Sequence, residues 1–335
     1  MNFRPLRLLR TTTVLVAALT GLPALAHHSH ATLDPNDVRV LRGVVKKYSW
    51  SMPHVYLKVE APNLDGKLVE YSIEMLHPAG MSELGWSKDT FKPGDTITWE
   101  GRHDKNKARA YSSLTWAEKN GVRVGNDAQH QKPITPSTDF SGLWDRGPNQ
   151  PTYYPPKGWK LTAKGQALVD GFNENQNPVL NCGDPGVPKS MTLPYAHQLT
   201  RVDDKTIVIG RDLMEGQRII HLDGAAPSGA PSKLGYSVGH FDNGDLIVDT
   251  TNFIADRWGT HTGIDSSEQK TVHERFHLTD GGLGVELTIT VTDPVYLSEP
   301  NTFTHRWVKV ADRELVQTPC TAESAQLWIE GGYQQ

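Results

Sequence analysis

Tyr236-Ser237-Val238-Gly239-His240-Phe241-Asp242-Asn243-Gly244-Asp245-Leu246-Ile247-Val248-Asp249-Thr250 is the stretch whose reading decides the fold. Two strand-like runs flank Asn243-Gly244, and Asn-Gly suits a two-residue hairpin turn because both central residues need φ > 0. A second unit of the same kind follows, in which Asp280-Gly281-Gly282-Leu283 joins residues 272–279 to 284–292. Asp203-Asp204 joins another pair of runs, and residues 302–310 and a run from Glu314 add further strand. Seven or eight antiparallel strands with short turns predict a closed barrel or a sandwich. The expected form is a cup-shaped, calycin-like antiparallel β-barrel with a ligand cavity, spanning residues 139–335. Pro148, Pro151, Pro155 and Pro156 keep its entry extended. Residues 161–172 are its clear helix, with Thr162 as N-cap.

Upstream, the pattern is again β. Val55, Leu57 and Val59 alternate with Tyr56, Lys58 and Glu60, and Val69, Tyr71, Ile73 and Met75 alternate in the same way. A first strand runs from Val38 towards Trp50, a short helix is predicted over 81–86, and Lys92-Pro93-Gly94-Asp95 turns into strands beginning at Ile97 and Ala108. Three strands, a helix and two strands is the order of a small OB-like barrel over residues 27–118. Residues 119–138, polar and punctuated by Gly121, Gly125, Pro133 and Pro136, read as a linker. The chain is thus expected to be all-β.

Composition narrows the function. Of 335 residues 37% are hydrophobic and 21% charged, the balance of a globular chain, and the formal net charge is -4. No Lys/Arg cluster follows the extreme N-terminus, which argues against nucleic acid and against an anionic membrane surface as partner. Residues 1–26 read as a signal peptide: Arg4, Arg7 and Arg10 precede a short apolar run over 13–22, and Ala24 and Ala26 supply a cleavage site. The run is too short to span a bilayer, so the mature chain is expected in the periplasm without a membrane span. In that oxidising compartment Cys182 and Cys320 are expected to form a disulfide linking the start of the second domain to its end.

Two sets of residues are candidates for chemistry. In the second domain the Gly281-Gly282 hairpin pairs Phe276 with Leu287 and Glu274 with Ile289, so Glu274 shares the apolar face. An acid there is a candidate general acid or base, or else half of a structural ion pair with Arg218 or Arg306. The Asn243-Gly244 hairpin puts His240 and Asp249 on one face within diagonal reach. Glu274, His240 and Asp249 form the catalytic set of an enzyme reading: a lyase, isomerase or hydrolase acting on a small apolar molecule. No Gly-x-Ser-x-Gly, phosphate-binding loop or His-Glu-x-x-His pattern occurs.

The second set is metal-ligating. Cleavage after Ala26 makes His27 the mature N-terminus, offering a free amine and an imidazole from one residue. His54, in Met52-Pro53-His54-Val55, is the candidate third nitrogen, with His28 beside it; His77 and His103 stand behind these. Three nitrogens in a T suit Cu(II), so copper is the expected cofactor.

Specific motifs carry a family resemblance. His27-His28-Ser29, Met52-Pro53-His54-Val55, Ser72-Ile73-Glu74-Met75, Leu84-Gly85-Trp86 and Lys92-Pro93-Gly94-Asp95 resemble a secreted proteobacterial domain family of unknown function, whose pattern has Asn where this chain has Met52. The second domain is similar to a module that accompanies it, through Cys182-Gly183-Asp184-Pro185-Gly186-Val187-Pro188, Ser267-Glu268-Gln269, Glu274-Arg275-Phe276 and Thr292-Asp293-Pro294; Ser266 stands where that module often has His. The resemblance implies an exported two-domain protein and groups His27, His28 and His54, without assigning an activity. The leading expectation is a periplasmic copper-binding protein with a small-molecule pocket in its C-terminal barrel. The alternatives are the enzyme above and an envelope interaction protein without a catalytic site.

Overall fold

The computed structural model describes residues 32–125, 133–148, 158–212, 216–327 and 329. The first barrel is built from β1 (Leu33–Ser49), β2 (Tyr56–Pro62), β3 (Leu68–Glu74), the short helix α1 (Pro78–Glu83), β4 (Thr96–Asp104) and β5 (Tyr111–Ser113). The order β1-β2-β3-β5-β4 closes through β1–β4, with β3 and β5 parallel, the five-stranded arrangement expected of an OB-like fold. β1 serves both ends of the barrel because a bulge between Val45 and Lys47 bends it. Val45, Leu57, Val59, Ile73, Ile97 and Trp99 fill the interior without exposure. Gly101 is required by this closure, since a Cβ there would lie 1.8 Å from the Ser113 carbonyl oxygen.

Two further strands, β6 (Trp116–Lys119) and β7 (Val122–Val124), extend this sheet from β4. They correct the expectation of a linker from residue 119. Lys119 pairs with Val122 around Asn120 (φ 51) and Gly121 (φ 82), a two-residue hairpin turn.

The second barrel comprises β8 (Gly142–Arg146), helix α2 (Ala163–Asp170), β9 (His197–Asp203), β10 (Thr206–Arg211), β11 (Arg218–His221), β12 (Tyr236–Asp242), β13 (Asp245–Thr251), β14 (Asp256–His261), β15 (Ile264–Ser266), β16 (Thr271–Thr279), β17 (Gly284–Thr292) and β18 (Asn301–Lys309). Nine of these strands close in the order β10-β11-β12-β13-β16-β17-β18-β8-β9, while β14 and β15 form a separate hairpin. Asn243 (φ 49) and Gly244 (φ 89) make the expected turn, with Asp242 opposite Asp245. Phe276 pairs with Leu287 and Glu274 with Ile289, the register read from the sequence. One pair departs from the antiparallel expectation: β11 and β12 run parallel, joined by residues 222–235. Thr162 caps α2, accepting from the Gly165 amide at 3.1 Å.

After β18 the chain leaves the barrel. The run from Glu314 is not a strand, because Val316 donates its amide to the Asp212 carboxylate at 2.7 Å instead of to a ladder. This tail crosses to the first barrel, where the Met52 amide donates to the Pro319 carbonyl (3.2 Å) and Arg313 bridges Asp212 and Glu83. It ends in helix α3 (Ala322–Gln326). The Cys182–Cys320 disulfide fastens it with Cα atoms 5.7 Å apart, closing a separation of 138 residues. Among the described residues no helix is long and apolar enough to cross a membrane.

Candidate functional site

His54 lies just before β2, where the chain enters the first barrel beside the end of β3. Its Nδ1 is 3.1 Å from the Met75 carbonyl oxygen and 3.4 Å from Glu74 Oε1. A carbonyl can only accept, so Nδ1 carries a proton, and the tautomer this selects places the lone pair on Nε2. The His54 side chain is 29% exposed, whereas that of Glu74 is fully buried. Ser324 of α3 donates its hydroxyl to the His54 carbonyl oxygen at 2.8 Å, so the tail helps seat this residue.

Glu74 is the residue that sequence reasoning missed. The apolar positions of β3 alternate through Tyr71 and Ile73, which assigns Glu74 to the outer, solvated face. That face is covered instead. Tyr56 stands opposite Glu74 across the β2–β3 ladder, and the Tyr111 hydroxyl donates to the Glu74 carboxylate. Burial and this carboxylate push the Tyr111 hydroxyl far above the usual phenol range. Tyr56 and Tyr111 pack with Leu33 and Leu327 in one cluster, so the start of β1 and the end of the tail meet over the acid. Only the resemblance through Ser72-Ile73-Glu74-Met75 pointed at this position, and it assigned no role.

Arg109 ties the same patch together. Its guanidinium lies 3.9 Å over the Tyr111 ring, donates to Asp104 at 2.9 Å and to the Leu327 carbonyl at 3.2 Å, and reaches Thr32 Oγ1 at 3.5 Å. On the other side of Glu74 a cleft of about 200 Å³ opens between Met75, Met81, Trp86, Leu114 and Trp116. His54 therefore lies beside an acid that also lines an apolar cleft.

His27 and His28 lie outside the described residues, as do residues 1–26. Among the described residues no three His, Cys, Asp or Glu side chains gather as a metal-binding group. His77 and His103 do not join His54: His77 Nδ1 accepts from the Gly80 amide as the cap of α1, and His103 is buried against Tyr71. Burial holds both imidazoles down to about 4.

In the second barrel the three candidate catalytic residues are not brought together. Glu274 points inward as expected and is fully buried. Arg218 grips it with both terminal nitrogens, and also donates to Ser237 (3.0 Å) and Thr250 (2.9 Å). This is the ion-pair alternative, with Arg218 as the partner. His240 and Asp249 are on the outside of the wall, and Asp249 pairs with His273 at 2.8 Å, both largely exposed. The reason is the pleat: Asp249 is adjacent to Val248, which pairs with Glu274, so the two acids face opposite sides. The interior expected to hold a small-molecule pocket carries Trp144, Phe276, Leu287, Ile289 and Trp307, none of them exposed. Both clefts described among these residues line the first barrel.

Residues 15–112 match the model of a family described as a family of unknown function (DUF6152), a span that reaches into β5 and includes the motifs around His54, Trp86 and Gly94. No curated protein matches the chain significantly. No solved structure does so either. What the comparisons establish is a likeness of the N-terminal module to a family that carries no assigned activity.

Proposed function

We propose that residues 1–26 direct export to the periplasm, that the mature chain begins at His27, and that it binds one copper ion through His27 and His54. The observation that carries this reading is the setting of His54. Its Nδ1–H is held by the Met75 carbonyl beside the Glu74 carboxylate, which frees Nε2 to ligate. Metal-bound histidines are commonly oriented in this way by a carbonyl or carboxylate on the opposite nitrogen. The start of the described chain supports the same partner. Thr32 and Leu33 lie on the wall formed by Arg109, Tyr111 and Tyr56, next to Glu74. His27 is five residues before Thr32, a span of up to ~17 Å when extended.

In this reading the His27 amine and imidazole and His54 Nε2 hold the metal, with His28 as a further donor. Copper, when bound, supplies a Lewis-acidic, redox-active centre. Glu74 keeps His54 oriented and links it to the apolar cleft, so a small apolar ligand would meet the centre from the first barrel. The test is a Cu(II) titration of the chain beginning at His27, against the same chain with one residue added before His27 and against His54→Ala. Stoichiometric binding lost by at least tenfold in both variants is the expected result. Equal binding with and without the added residue would overturn the reading.

A further inference from the structure

A second cleft of the first barrel, about 180 Å³, opens where the β2–β3 turn meets the β4–β5 connection, and it shares no residue with the cleft beside Glu74. Tyr71 of β3 and His103 of β4 line it, and they are only 3% and 2% exposed. Their rings meet edge to face, with centroids 5.7 Å apart. His103 Nε2 is buried without a hydrogen-bond partner. The Tyr71 hydroxyl likewise makes no hydrogen bond among the described residues. Buried polar side chains are nearly always satisfied, so two unmet ones on one cleft wall call for a partner from outside the fold.

The charges around the cleft say what that partner is not. Arg39 donates through Nε to Asp37 at 2.6 Å, Lys107 reaches Asp37 at 2.6 Å and Asp34 at 3.6 Å, and Arg109 holds Asp104 at 2.9 Å. Three cations thus face three carboxylates. Asp65, also on the cleft, adds a fourth acid whose carboxylate no described residue engages. An anion would meet cations already answered and an acid that repels it. The Asp65 turn is held in place, because Asn63 Oδ1 accepts from the amides of Asp65 and Lys67, each at 3.0 Å.

We propose that this cleft binds one neutral sugar ring, whose hydroxyls pair with the Tyr71 hydroxyl, the His103 imidazole and the Asp65 carboxylate. A sugar hydroxyl both donates and accepts, and the wall offers both functions. Burial pushes the Tyr71 hydroxyl up against the pull of Arg39, so it stays a phenol that can donate and accept. His103, held down to about 4 by burial, is a neutral imidazole at pH 7, with one nitrogen of each kind. Asp65 supplies a pure acceptor. The volume suits a single ring, since pockets for drug-sized ligands start at about 300 Å³. A free monosaccharide and one residue of a longer glycan present this same chemistry.

The test titrates the intact protein with glucose, N-acetylglucosamine, maltotriose and sodium acetate, read from backbone amide chemical shifts. Saturable shifts of the amides of residues 63–66 and 103–107 with at least one sugar, and none with acetate, are the expected result. Tighter binding of maltotriose than of glucose would support the proposal with a glycan as the source, and equal binding would support it with a free ring. Tyr71→Phe, which keeps the ring packing, is expected to weaken the sugar about 3–10-fold, the effect of one lost neutral hydrogen bond. Asp65→Asn changes only an exposed turn residue and is expected to weaken it as well. No shift with any of the three sugars, affinity unchanged in both variants, or a stronger response to acetate than to sugar overturns the proposal.

Discussion

Glu74 and Glu274 are both fully buried strand acids, one in each barrel, and their company differs. Glu274 has a matched cation, Arg218, which also donates to Ser237 and Thr250. Every charge there is answered within the fold. Glu74 faces a tyrosine hydroxyl and the ring of a half-buried histidine. A buried carboxylate closed by an arginine locks a structure. One flanked by a phenol and an imidazole, beside a cleft, is the acid on which the proposed copper site rests. The comparison separates an acid closed by an arginine from one set beside a histidine and a cleft.

The largest effect should come from breaking the closed pair. Arg218→Met strands Glu274 in the interior and is expected to cost about 3–5 kcal/mol, measured by denaturant unfolding. A loss below about 1 kcal/mol would remove the distinction between the two acids. Acid should destabilise the second barrel on a comparable scale. Burial holds His197 down to about 3 and His305 down to about 4, against 6.5 for an imidazole in water. The unfolded chain therefore binds more protons below pH 6.5, and stability falls as pH drops from there towards the folded values. Each histidine contributes a slope of about 1.4 kcal/mol per pH unit, so the two together account for about 4 kcal/mol at pH 5. Unfolding curves collected between pH 7 and 5 check this, and a flat profile would contradict it.

Replacing Cys182 and Cys320 by Ser is expected to cost about 2–5 kcal/mol, because the bond closes a long loop. The same change should weaken copper binding, since the tail it fastens carries Ser324 against the His54 carbonyl. Stability lost with copper affinity intact would mean that the tail does not serve the site. Glu74→Gln preserves shape and removes the charge. It is expected to weaken copper 10–100-fold, the range for residues that orient a ligand, with a stability change of about 1 kcal/mol. Asp249→Ala should have the smallest effect, within about 0.5 kcal/mol, because its pairing with His273 is solvent-exposed. A large effect there would reopen the enzyme reading that includes His240 and Asp249.

Much of the fold was legible because it is written locally. The Asn243-Gly244 turn set a register that carried through Phe276–Leu287 and Glu274–Ile289, since turn geometry and the two-residue pleat leave little choice of pairing. Asn120-Gly121 carried the same signal inside a polar stretch and was read as linker, because three-residue β7 offers too short an alternation to stand out. The candidate site was only half legible. His54 stood out through its motif, but nothing in the alternation of Tyr71, Ile73 and Met75 marks Glu74 as buried.

The sequence by itself determined the two β modules, the hairpin registers and the inward face of Glu274, because these follow from φ > 0 turns and from side chains that alternate along a strand. Only the tertiary structure decided which polar residues meet. It set His240 and Asp249 on the opposite side of a wall from Glu274, and it brought Leu327, Tyr111 and Leu33 together over a strand face that would otherwise be wet. Tyr111 lies 37 residues beyond Glu74 and the tail much further, so no local pattern encodes their meeting. Burial is a property of what covers a residue, and here the cover comes from the far end of the chain.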